Sequence, residues 1–168
     1  HGLLQKAIIG NQDVDIAALI ERLGNSDWVK QGLKYHEQDP ETCPFCQQST
    51  DGHFSESLKS FFSEAYDNDI QALKTLQSNY QRAAEQLLAA IQRNVELGNP
   101  FLNLELFNAE AQALSERIKG NLGVLDKKLA EPSRKIQLET VEPLLARLEK
   151  TVSDANDATS SHNQTVAN

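Results

Sequence analysis

The stretch LKTLQSNYQRAAEQLLAAIQRNVELGNP, residues 73–100, decides how this chain is read. Leu73, Leu76, Tyr80, Ala83, Leu87 and Ala90 recur at alternating steps of three and four, the spacing that lines one side of an α-helix for a partner helix. No Pro or Gly interrupts the chain upstream as far as about Phe54, so one helix over residues 54–97 is expected. At 1.5 Å per residue it would measure roughly 65 Å. A small base cannot cover such a length, so the helix needs a partner along it.

Gly98-Asn99-Pro100 breaks the helix, and the next segment supplies the partner. Phe107, Ala111, Leu114, Ile118, Leu122, Leu125 and Leu129 repeat the spacing. Two long amphipathic helices joined by a short connection favour an antiparallel hairpin. Gly120 and Gly123 are its weak points, each costing about 1 kcal/mol relative to Ala, and are expected to permit close helix approach or to mark a bend. Pro132 ends this helix. A last helix is expected from near Thr140, with Pro143 tolerated in its first turn. Its seam runs Val141, Leu145, Leu148, Val152 and Ala155, then weakens to Thr159, His162 and Val166. That end is expected to fray or to pack on a further surface.

Residues 3–52 are more varied. Asp13 or Asp15 is placed to cap a short helix carrying Ile16, Leu19, Ile20 and Leu23, which Gly24 ends. Ser26 is placed to cap a second helix carrying Trp28, Val29, Leu33 and Tyr35, with Asp27 at its positive end. Asp39-Pro40 stops it and leads into a loop with both cysteines. Trp28 is expected to pack against the start of the coil, and Phe61, Phe62 and Tyr66 to form the junction with the long helix. The fold expected is all-α: an elongated antiparallel coiled-coil hairpin with a small helical base and an additional C-terminal helix. The corresponding divisions are 1–52, 53–131 and 132–168.

Composition agrees with long solvated helices: of 168 residues, 6% are aromatic and 24% charged. The formal net charge of -8 argues against a general attraction to nucleic acid or anionic lipid. No apolar run approaches the roughly 20 residues that span a bilayer, and no basic-then-apolar leader opens the chain. These features lead us to expect a cytoplasmic protein. With His1 and Gly2 at its start and no Met, the sequence reads as an excised fragment.

The cysteines occur only in CPFC, residues 43–46. Zinc favours four tetrahedral ligands, and Cys-x-x-Cys lets one turn aim two thiolates at one ion, so Cys43 and Cys46 are the candidate metal ligands. They are half a site. A second copy of the chain could add its own pair, making a homodimer, or His36 and His53 could complete the set within one chain. A redox dithiol and a pair of reduced, partly buried thiols are the other readings, although no alternating strand and helix pattern supports a thioredoxin-like fold. Glu105, Glu110 and Glu116 read as a solvated helix face.

The stretches DWVKQGLKYHEQDPETCPFCQQ (27–48), SLKSFFSEAYDNDIQALKTL (57–76) and HNQTVAN (162–168) resemble the AAA_13-type ATPases, the group that contains the bacterial anticodon nucleases PrrC and RloC. The resemblance covers nearly the whole chain, and its W-V-x-x-G-L and C-P-F-C-x-Q elements are the most specific. It implies a coiled-coil insert in the nucleotide-binding head of an ABC-type ATPase. It also implies a zinc hook joining two molecules, carried here by Cys43 and Cys46, or a cysteine pair at the base that pins the short helices onto the coil. The catalytic parts of the family do not carry over. There is no G-x-x-x-x-G-K-[ST] in the sequence, no ABC signature and no match to the nuclease centre. The chain is therefore expected not to be an enzyme, with ATP bound only by the parent protein's head and the rest of that ATPase as its partner.

Overall fold

The computed structural model describes residues 2–167, and the regular elements among them are all helical. In chain order they are α1 (Gly2–Gln5), α2 (Ala17–Leu23), α3 (Ser26–His36), α4 (Gly52–Phe61), α5 (Glu64–Glu96), α6 (Leu104–Ala130) and α7 (Glu142–Val166). The all-α expectation therefore holds. The described residues form two compact units. One takes the residues up to Leu76 together with Asp126–Gln137, and the other takes Gln77–Leu125 together with the residues from Leu138 onward. Both long helices, α5 and α6, contribute to each.

The single helix expected over residues 54–97 is two helices. Phe62 leaves helical geometry at φ -88° and ψ 66° and caps α4 by donating its N–H to Leu58. Neither Gly nor Pro marks the break. Aromatic packing holds it: the Phe61 and Phe62 rings meet edge to face at 4.9 Å, Phe62 and Tyr66 at 5.0 Å, and all three are buried. Lys30 places its ammonium over Phe62 and Tyr66. Burial, with Asp27 and Asp67 nearby, pushes the Tyr66 hydroxyl up to about 12.

In the second unit α5 and α6 form the antiparallel hairpin, closed by Gly98 in the left-handed region (φ 65°) and by Asn99 Oδ1 accepting the Phe101 N–H. Asn103 Oδ1 accepts the Leu106 N–H and so caps the start of α6. The helix after Pro132 returns to this hairpin as a third member. Arg117 pairs with Glu139 at one end of the α6–α7 contact, and Glu110 accepts from the Thr151 hydroxyl further along, so α7 runs antiparallel to α6. Ala84, Phe107, Leu114, Ile118 and Leu148 form the shared core. Pro143 stands in the first turn of α7 as expected, and from Ser161 onward the helix is exposed.

The seam of α5 differs from the heptad reading. Leu73, Tyr80, Leu87 and Ala90 are buried or half-buried as expected and Ala84, Leu88, Ile91 and Val95 join them, while Leu76 and Ala83 are exposed. A helix of 3.6 residues per turn drifts from a 3.5-residue pattern, so the contact strip takes additional steps of four. On α6 the apolar seam holds at Phe107, Ala111, Leu114, Ile118 and Leu125, but two polar residues share it: Asn121 and Lys128 are buried. Asn121 donates to the Tyr80 hydroxyl and the Glu139 carbonyl, and accepts the Glu139 N–H. Gly120 and Gly123 permit no close approach, because a Cβ at either would meet open space.

In the first unit the chain before α2 lies along the segment after α6, with the Ile8 N–H donating to Pro132 and the Ile136 N–H to Leu4. Lys128 is wholly buried there, and its ammonium donates to the carbonyls of Lys6, Pro132 and Arg134. Gly10 lies so close to the Phe61 ring that a Cβ would come within 2.2 Å of it. The helix caps depart from the sequence reading. Ile16 and Asn25 hold the N-cap positions of α2 and α3 without side-chain bonds, so neither Asp13, Asp15 nor Ser26 caps, whereas Gly24 ends α2 at φ 61° as expected. Asp27 instead clamps Ser133, accepting from its N–H and its hydroxyl.

Candidate metal centre at the cysteine turn

The loop between α3 and α4 is a closed turn. The Thr50 N–H donates to Glu41 at 2.8 Å and the Cys43 N–H to Gln48 at 2.8 Å, while Thr42 and Ser49 pair as an antiparallel bridge. The Gln47 N–H reaches back to the Cys43 carbonyl at 2.9 Å. Pro44 fixes one dihedral of this turn and donates nothing, leaving the amides of Phe45 and Cys46 free to point elsewhere. Gln47 completes it at φ 60°, a left-handed conformation costing a non-glycine residue about 1–2 kcal/mol. Backbone strain of this kind, held by the surrounding bonds, accompanies functional turns.

Those free amides are directed at sulfur. The backbone N–H of Cys46, then that of Phe45, then the Cys46 thiol hydrogen-bond to the Cys43 sulfur, and together they hold the Cys43 thiol below its ordinary range against a small opposing effect of burial. Hydrogen bonds to the thiolate favour the form that binds metal and attacks electrophiles. Both thiols are free, with Cys43 half-buried and Cys46 exposed. Two thiols within hydrogen-bonding reach of one another fit one edge of a tetrahedral zinc site, where bonds of about 2.3 Å set sulfurs roughly 3.8 Å apart. Two thiols are a donor pair that suits a thiophilic ion.

The two histidines are engaged elsewhere. His36 is buried, with Nε2 at 2.9 Å from the Ser55 hydroxyl and its ring edge-on to Phe54. His53 lies on the surface, 3.7 Å from Asp15. Among the described residues no group of three or more His, Cys, Asp or Glu side chains could hold a metal ion. At this turn the chain presents two free thiols, half of a tetrahedral set.

Trp28, expected to pack against the start of the coil, is 55% exposed and stacks on Phe45 of the turn at 5.0 Å. The Phe45 ring also reaches Gly32, one helical turn further along α3, where a Cβ would meet its edge in ordinary contact at 3.7 Å. The stack ties the turn to α3. It also opens onto an apolar groove of about 280 Å³ between α2, α3, α4 and the turn. Sequence reasoning missed this groove. The available signal was α2 and its N-cap, where Ile16, Leu19, Ile20 and Leu23 carry more apolar surface than one buried stripe needs.

A family model described as an AAA domain, AAA_13, matches residues 1–168. The chain belongs to the AAA_13 family, a group of ABC/AAA-type ATPase domains. No curated protein and no solved structure matches it. Among the described residues no helix is long and apolar enough to cross a membrane.

Proposed function

We propose that the chain is the coiled-coil arm and interaction module of a RloC/PrrC-like ABC ATPase, and that Cys43 and Cys46 from two copies share one zinc ion as a hook. The observation that supports this reading is the hydrogen-bonded turn between α3 and α4, closed by the Thr42–Ser49 bridge, which carries both free thiols, Cys43 half-buried and Cys46 exposed. Zinc, when bound, supplies a cross-link whose geometry is fixed by four thiolates. The chain's own residues orient the pair: Pro44 shapes the turn, the Phe45 and Cys46 amides hold the thiolate, and the Trp28–Phe45 stack fixes the turn to α3.

In this reading the chain catalyses nothing. ATP binds in the parent protein's head, and head closure changes how the helices of the arm sit, delivering or regulating an anticodon nuclease in the cytoplasm. The Trp28–Phe45 stack supports a second reading, in which the turn pins the short helices locally and any metal stays within one chain. Native mass spectrometry with and without chelator separates the two. The hook gives a dimer with half an equivalent of zinc per chain that dissociates on chelation, and Cys43→Ser/Cys46→Ser loses both. A monomer carrying one equivalent or none overturns the hook.

A further inference from the structure

A second cleft in the first unit, of about 440 Å³, lies between α3, the start of α5 and the end of α6. None of the cysteine turn belongs to its wall. Three lysines line it: Lys30 and Lys34, one turn apart on α3, and Lys74 on α5. Acidic side chains outnumber basic ones in this chain, 24 to 16, so each ammonium has carboxylates to choose from. Lys30 takes one, at 3.8 Å from Asp67. Lys34 rests over the Tyr35 ring, and among the described residues neither it nor Lys74 forms an ion pair. Other acceptors in the wall are taken. Asp27 receives the Ser133 N–H and hydroxyl, and the Ala130 carbonyl receives the Gln31 amide.

Tyr66 adds an independent observation. It is only 4% exposed and lines the cleft, yet its hydroxyl has no hydrogen-bond partner among the described residues. Phe62 and Lys30 hold the ring in place. Burial, with Asp27 and Asp67 nearby, keeps this hydroxyl protonated at neutral pH, so it is a donor that awaits an acceptor. A buried donor left unpaired costs free energy that a ligand oxygen recovers.

We propose that this cleft binds a small organic monoanion, a carboxylate on an apolar body, held at its carboxylate by the Tyr66 hydroxyl and the Lys34 and Lys74 ammoniums. Ile70, Leu129 and Pro132 supply the apolar wall for the body. Three ammoniums against the carboxylates of Asp27 and Asp67 leave a single positive charge in the lining, which one carboxylate matches. A phosphate dianion exceeds it and meets both aspartates. Small-molecule sites of roughly 300 Å³ and above combine apolar walls with a few convergent polar groups in this way. The site owes nothing to zinc at the cysteine turn.

Chemical-shift titration of the isotope-labelled 168-residue chain tests this with phenylpropionate as the probe, beside its neutral amide, acetate and inorganic phosphate. Phenylpropionate is expected to saturate one site with a dissociation constant of roughly 1 mM or below, moving the amides around Lys34, Tyr66 and Lys74. The neutral amide lacks the charge and acetate lacks the body, so each is expected to bind roughly tenfold more weakly or worse. Lys34→Met/Lys74→Met alters two exposed positions and should weaken phenylpropionate roughly tenfold. Tyr66→Phe keeps the ring, removes only the hydroxyl and should weaken it roughly threefold or more. Far-ultraviolet circular dichroism checks folding, and Lys34→Gln/Lys74→Gln carries the test if the methionine pair misfolds. No saturable binding overturns the site. So does a neutral amide that binds as well as the acid, or an affinity that neither the lysine pair nor Tyr66→Phe changes. Phosphate binding more tightly than phenylpropionate overturns the carboxylate.

Discussion

Lys128 occupies a place on α6 where the seam asks for an apolar side chain, three residues beyond the buried Leu125. Burial pushes its ammonium down from the ordinary lysine value, with Asp27 opposing, and three carbonyls from the flanking chain segments accept its protons. Removing it orphans those acceptors away from water, which costs more than the bonds themselves contributed. Lys128→Met keeps the length and the packing, and is expected to lower stability by about 2–4 kcal/mol in urea unfolding. A loss below about 0.5 kcal/mol would mean that water replaces the ammonium. Cys43 gives a residue-scale prediction of the opposite kind. Its folded value lies below that of the unfolded chain, so the stabilisation by its two amides is present above the unfolded value and lost as pH falls through the folded one. The rate of iodoacetamide reaction at Cys43, followed by peptide mapping, should therefore inflect at lower pH in the native chain than in urea. Coincident profiles would show that the amides do not hold the thiolate.

At the scale of elements, the glycines of α6 yield a direct expectation. Gly120 and Gly123 are helical and face open space, so each carries the entropic cost of glycine without a packing benefit. Gly120→Ala and Gly123→Ala should each raise stability by about 0.5–1 kcal/mol, read as a higher denaturation midpoint at unchanged slope. A loss at either site would show a partner helix pressing there. The sequence made the existence of the long helices legible because apolar spacing and Gly98 are local signals. It hid the α4–α5 break, which depends on three aromatic rings finding one another, and it hid Asn121 and Lys128, whose burial is tolerable only because distant backbone groups satisfy them. The same limit applied at the candidate site. CPFC was legible as a candidate ligand pair from spacing alone, whereas the strained Gln47 and the exposed Trp28–Phe45 stack follow from how loop and helix fold together.

For the whole molecule, the decisive quantity is its net charge of -8. Two copies brought together at one ion, as the proposed hook requires, would repel at long range, and four thiolates would add negative charge that the ion only partly neutralises. Salt screens that repulsion, the Debye length falling from about 10 Å at 0.1 M to about 3 Å at 1 M, and it leaves apolar packing intact. Metal-linked association should therefore tighten as salt rises over this range, measured by sedimentation equilibrium at fixed zinc. An interface built on complementary charges, or one that binds nucleic acid through released counterions, behaves in the reverse sense and weakens. The sign of the salt dependence thus separates association through thiolates and a shared ion from binding to an oppositely charged partner, and association that loosens with salt would count against the former.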